Sequence, residues 1–104
     1  MTASIRVIDA GGWAVDGDMN LASAERLLEQ ARQTWGGTAQ LVLDLGGVGR
    51  IDSCALAMLL EWSRAARARG GALTVRNVPE PLRSIARLCG VEDLLALGGA
   101  AARE

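Results

Sequence analysis

At 104 residues, half of them apolar, the chain is long enough for one domain with a real core and too short for two ordinary ones. Its net charge is −1, all eleven basic residues are arginine, and histidine is absent. That composition argues against nucleic-acid binding, which needs a basic patch, and removes the commonest general base and zinc ligand. Three tryptophans are the only aromatic residues, so the core must be built from Leu, Val, Ile and Ala.

Ile5-Arg6-Val7-Ile8 is a short β-branched run ended by Asp9-Ala10-Gly11-Gly12, and Trp13-Ala14-Val15 follows as a second strand before Asp16-Gly17-Asp18. The two predict an antiparallel hairpin. From Asn20 the period changes. Leu21, Ala24, Leu27, Leu28, Ala31 and Trp35 recur at three- and four-residue steps among charged residues. This predicts an amphipathic helix with Asp18 or Asn20 as N-cap and Gly36-Gly37 as its end. Leu41 to Leu45 is nearly all apolar, as in a central strand covered on both faces.

Gly46 to Ile51 reads as a glycine-rich connection, and Asp52-Ser53 opens a helix that Gly70-Gly71 closes. Ala72 to Arg76 alternates like a strand. Pro79 and Pro81 suit the first turn of a last helix with Leu82, Ile85, Ala86, Leu88 and Cys89 on one side, stopping at Gly90. Val91 to Leu97 is expected to add a final turn, and Gly98 to Glu104 to fray. One domain over residues 1–97 follows. The order ββαβαβα predicts an α/β fold, a mixed and mostly parallel sheet with helices mainly on one face. Leu43, Leu45, Leu56, Leu59, Leu60, Val75 and Ile85 are the expected core.

Few features point to chemistry. Gly46-Gly47-Val48-Gly49 sits between a strand and a helix, where phosphate loops lie, but no GxxxxGK[ST] or well-spaced GxGxxG accompanies it. A tight connection explains these glycines without a nucleotide. Asp44 and Asp52 flank the segment without a nucleophile or metal ligand in view, so capping of loops and helices is their expected role. Cys54 and Cys89 form no CxxC and read as free thiols in a reducing cytosol. No signal peptide and no membrane span is discernible, which predicts a cytoplasmic protein.

The most informative stretch runs from Asp52 to Trp62. Leu56, Leu59, Leu60, Ser63 and Ala66 form one stripe, enough to pack on the sheet. Cys54, Ala55, Met58, Trp62 and Ala65 form another on a different side. A helix covering a small sheet is expected to bury one stripe, so the second reads as a surface that a partner protein covers. The alternative is packing against neighbouring helices of the same domain.

Leu41-Val42-Leu43-Asp44-Leu45, Val48 and Ile51-Asp52-Ser53 resemble the pattern of the STAS domain family, shared by anti-sigma-factor antagonists and sulfate transporters. In that pattern a strand ending in D-L leads through a short loop to I/V-D-S/T at a helix start. The resemblance runs well over residues 40–97 and in outline before them. Anti-sigma-factor antagonists usually carry D-S-S-G-L, whereas this chain has Asp52-Ser53-Cys54-Ala55-Leu56. The stretches Leu56 to Trp62, Asn77 to Leu82 and Ile85 to Val91 are more similar to MlaB-type members.

That resemblance implies a cytoplasmic subunit without catalysis, metal or cofactor. It would bind the ATPase of an ABC phospholipid transporter that maintains outer-membrane lipid asymmetry, and reach the membrane only through that complex. The implied partner-binding residues are Asp52, Ser53, Cys54, Ala55, Met58 and Trp62. The alternative implied by the family is an anti-sigma-factor antagonist, with an anti-sigma-factor kinase as partner and phosphorylation at Ser53 as its switch.

Overall fold

The computed structural model of the chain describes residues 3–9 and 12–92. In chain order the elements are β1 (Ser4–Asp9), β2 (Gly12–Met19), α1 (Leu21–Trp35), β3 (Gln40–Ile51), α2 (Ser53–Ala68), β4 (Ala72–Arg76) and α3 (Glu80–Leu88). The four strands lie in the order β1-β2-β3-β4. β1 pairs antiparallel with β2, as the short hairpin requires, and β2-β3 and β3-β4 are parallel across the helical crossovers. This is the mixed, mostly parallel arrangement expected from the order of elements.

Register aligns the apolar residues. Ile5 faces Val15, Trp13 faces Leu43, and Leu43 faces Val75, so one side of the sheet carries a continuous row. Leu41, Leu43, Leu45, Leu73 and Val75 are buried there beneath the helices, while Val42 and Asp44 between them are only half-buried. The opposite side carries charge. The Arg6 Nε donates to Asp16 Oδ2 at 2.6 Å. β3 is thus covered by helices on one face, not on both as its apolar run suggested.

Five of the seven expected core residues, Leu43, Leu45, Leu56, Leu59 and Val75, are buried, and Leu60 and Ile85 are half-buried at the margin. Leu21 and Leu88 depart from expectation at 74% and 88% exposure, and Cys89 is exposed as well. All three stand at helix ends, where the layer beneath them stops. Of the expected final turn from Val91 to Leu97 only Val91 and Glu92 are described; the rest of it and the expected tail, residues 93–104, lie outside the described residues.

The glycine-rich segment is not a loop. Gly46 to Ile51 continues β3, pairing Gly47 with Asp16, Val48 with Gly17 and Ile51 with Met19 through two shifts of register. Its glycines make room for acidic neighbours: a Cβ at Gly49 would come within 2.6 Å of Asp18 Oδ1, which instead accepts from the Arg50 amide at 2.8 Å. Farther on, Gly70 ends α2 with φ +83°, and a side chain on Gly71 would collide with the Ala39 carbonyl.

Candidate functional site at the start of the first two helices

The parallel pairing of β2 and β3 brings their C-terminal ends side by side, so α1 and α2 begin as neighbours. The Asp52 amide donates to the Met19 carbonyl at 3.2 Å and locks the two strand ends together. Asn20 caps α1 in a reciprocal box: the Ser23 amide donates to Asn20 Oδ1 at 3.1 Å, and the Asn20 amide donates to Ser23 Oγ at 3.0 Å. Asp52 caps α2, its Oδ1 accepting from the Cys54 amide at 2.8 Å.

The second oxygen of Asp52 reaches across to the other helix, where Oδ2 accepts from the Leu21 amide at 3.1 Å. One carboxylate therefore satisfies orphan amides at two helix N-termini. Those amides, Cys54's first and Leu21's second, hold the Asp52 carboxyl below its ordinary range. Ser53, the first residue of α2, is exposed beside this bridge. Cys54 is half-buried, and its thiol is pushed up by burial and by the Asp52 charge, the direction opposite to that of an activated thiolate. Leu21 and Ala57 are exposed at the same end.

Asp44 does not join this group. Its Oδ1 accepts from Asn77 Nδ2 at 3.0 Å and from the Gly46 amide at 2.7 Å, and these bonds, the Asn77 one foremost, lower its pKa. Asp44 is held by Asn77 and the Gly46 amide and Asp52 by the amides of two helices, and the two carboxylates share no partner among these bonds. Among the described residues, no group of three or more His, Cys, Asp or Glu could hold a metal ion. No helix among them is long and apolar enough to cross a membrane.

The apolar half of the expected surface is corrected. Ala55, Met58 and Trp62 are 0%, 1% and 4% exposed, and all three belong to the core. The reason is the place of α2 as the middle helix: it packs on β3 and β4, on α1 to one side and on α3 to the other. A helix with three neighbours buries two stripes. Trp62 meets Trp35 of α1 edge-to-face at 5.0 Å, and Trp35 meets Trp13 of β2 at 6.2 Å. Of the six candidates, Asp52 and Ser53 are exposed and Cys54 is half-buried, while the other three stabilise the domain.

Leu21 is the exposed apolar residue beside Asp52 that pattern reading missed. Its three- and four-residue spacing assigned it to the core stripe. The one hint against burial is its position directly after the capping Asn20, at the first residue of the helix.

A family model described as Mlab, STAS domain matches residues 9–97. Among solved structures, a chain of the Acinetobacter MlaFEDB complex in its ATP-bound Vtrans2 conformation is similar, at 25% identity and TM-score 0.72 over 83% of this chain and 92% of that one. A Thermotoga maritima protein described as a putative anti-sigma factor antagonist superposes with TM-score 0.76 at 15% identity, over 91% and 84% of the two chains. The anti-sigma factor antagonist SpoIIAA in its unphosphorylated form gives TM-score 0.63 at 12% identity, over 83% and 82%. No curated protein sequence matches the chain.

Proposed function

The chain belongs to the STAS domain family in its MlaB form, and from that premise we propose that it is a non-enzymatic subunit that binds and supports the ATPase of an Mla-type ABC phospholipid transporter. The observation that carries this reading is the match over residues 9–97 together with the 25% identity to a chain of the MlaFEDB complex. Its docking surface is the shared start of α1 and α2: Asp52, Ser53, the half-buried Cys54, and the exposed Leu21 and Ala57.

In this reading the capped helix ends present a rigid platform, because Asp52 ties both to one carboxylate. Leu21 supplies the apolar anchor that Met58 and Trp62 do not. The role is structural, and the protein sits in the cytoplasm against the inner membrane through its complex.

A second reading is favoured by one observation, the exposed Ser53 hydroxyl at a helix N-terminus next to a carboxylate. As an anti-sigma-factor antagonist, the domain would be switched by a partner kinase at Ser53. Phosphorylation adds about 1.5 to 2 negative charges and would repel a close partner surface.

The test is affinity capture of the native complex, with Leu21→Asp and Ser53→Glu beside the wild type. Recovery of an ABC ATPase, reduced at least tenfold by either variant while both melt like the wild type, supports the transporter reading. Recovery of an anti-sigma-factor kinase supports the second. Full recovery of the ATPase by both variants would move the docking surface elsewhere.

A further inference from the structure

A second concave feature lies between the C-terminal halves of α1 and α2, away from the docking end. It is a groove of about 240 Å³ lined by the apolar Leu28, Leu41, Ala65, Trp35 and Trp62 and by the charged Arg32, Glu61 and Arg69. An apolar cavity of about 150 Å³ is enough to admit benzene. This groove has room for one ring or a short chain with a polar head.

The charged residues decide what head fits. Arg32 is paired with Glu29, and Glu61 with Arg64, each along its own helix. Arg69, the C-cap of α2, pairs with no carboxylate among the described residues. Its Nη1 donates only to the Thr38 carbonyl, at 3.4 Å, which is long for such a bond. A guanidinium held that weakly beside an apolar lining is suited to a carboxylate, which its planar fork matches.

We propose that this groove is a binding site for a small amphiphilic monocarboxylate, its apolar body against Leu28, Ala65 and the exposed margins of Trp35 and Trp62 and its carboxylate on Arg69. The site is independent of the docking surface and of the function assigned to it. Trp13, Trp35 and Trp62 form one connected stack, so an occupant of the groove alters the emission of the chain's three tryptophans.

The experiment titrates the purified full chain with 4-phenylbutyrate, and with 4-phenylbutanol as the uncharged control, by tryptophan fluorescence and calorimetry. Saturable binding of the acid, at least tenfold tighter than the alcohol, is expected. Arg69→Gln should bring the acid down to the alcohol's affinity without changing the melting temperature, and Ala65→Leu should abolish binding of both by filling the groove. If Ala65→Leu melts early, Arg69→Gln alone decides. No saturable binding to the wild type, equal binding of acid and alcohol, or an Arg69→Gln variant that binds the acid normally would each overturn the proposal.

Discussion

Replacing Trp62 by alanine is the perturbation that most sharply separates a core residue from a docking anchor. The side chain is 4% exposed and wedged edge-to-face against Trp35. Burying a tryptophan removes about 150–250 Å² from water, which at about 25 cal/mol per Å² amounts to roughly 4–6 kcal/mol as an upper bound. Measured truncations of large aromatic core residues cost about 3–5 kcal/mol. One offset exists, because the Trp62 indole N–H is buried without a protein acceptor and its removal relieves a desolvated donor. We take about 4 kcal/mol as the expected loss, a large share of the roughly 5–15 kcal/mol that holds a domain together. For a domain of this size that corresponds to a fall in melting temperature of roughly 15–30 °C. Thermal and urea melts by far-UV circular dichroism measure it. Trp62→Phe keeps a ring against Trp35 and drops the unpartnered N–H, so it should recover more than half of the loss. If Trp62→Ala melts within about 3 °C of the wild type, below roughly 1 kcal/mol, the burial argument fails and Trp62 is available to a partner after all.

The same reasoning gives three further expectations. Leu21→Asp changes a side chain that is 74% exposed at the start of α1, where a negative charge is favoured, so its melt should match the wild type while partner capture drops. Asp52 has a folded pKa depressed by the Cys54 and Leu21 amides, so its stabilising effect is complete above the ordinary value of 3.8 and is lost as pH falls through the lower folded value; the melting gap between wild type and Asp52→Ala should therefore close in acid, and a gap unchanged across that range would refute the bridge. Gly70→Ala places a methyl in open space but at φ +83°, for about 1–2 kcal/mol, whereas Gly71→Ala must displace the Ala39 carbonyl and should cost more; urea melts of the two variants give the order, and equal losses would contradict the close approach.

Sequence by itself determined the order and type of the elements. Asp18 or Asn20 and Asp52 or Ser53 announce helix starts because a short polar side chain is what an orphan amide needs, and that chemistry is local; the caps are Asn20 and Asp52. The alternation of Leu41, Leu43 and Leu45 and of Leu73 and Val75 marks an inward face for the same reason. The extent of β3 was not legible: glycine has little strand propensity, and Gly46 to Gly49 enter the sheet only because Asp16 and Asp18 of β2 lean over positions that have no side chain. Tertiary structure likewise decided the fate of α2. Periodicity reports which residues share a side of a helix, but it does not report how many neighbours that helix has. Flanked by α1 and α3, α2 buries Ala55, Met58 and Trp62 along with the stripe that faces the sheet. The parallel pairing of β2 with β3 brought Leu21, distant in sequence, to within one hydrogen bond of Asp52, a juxtaposition that local patterning did not show.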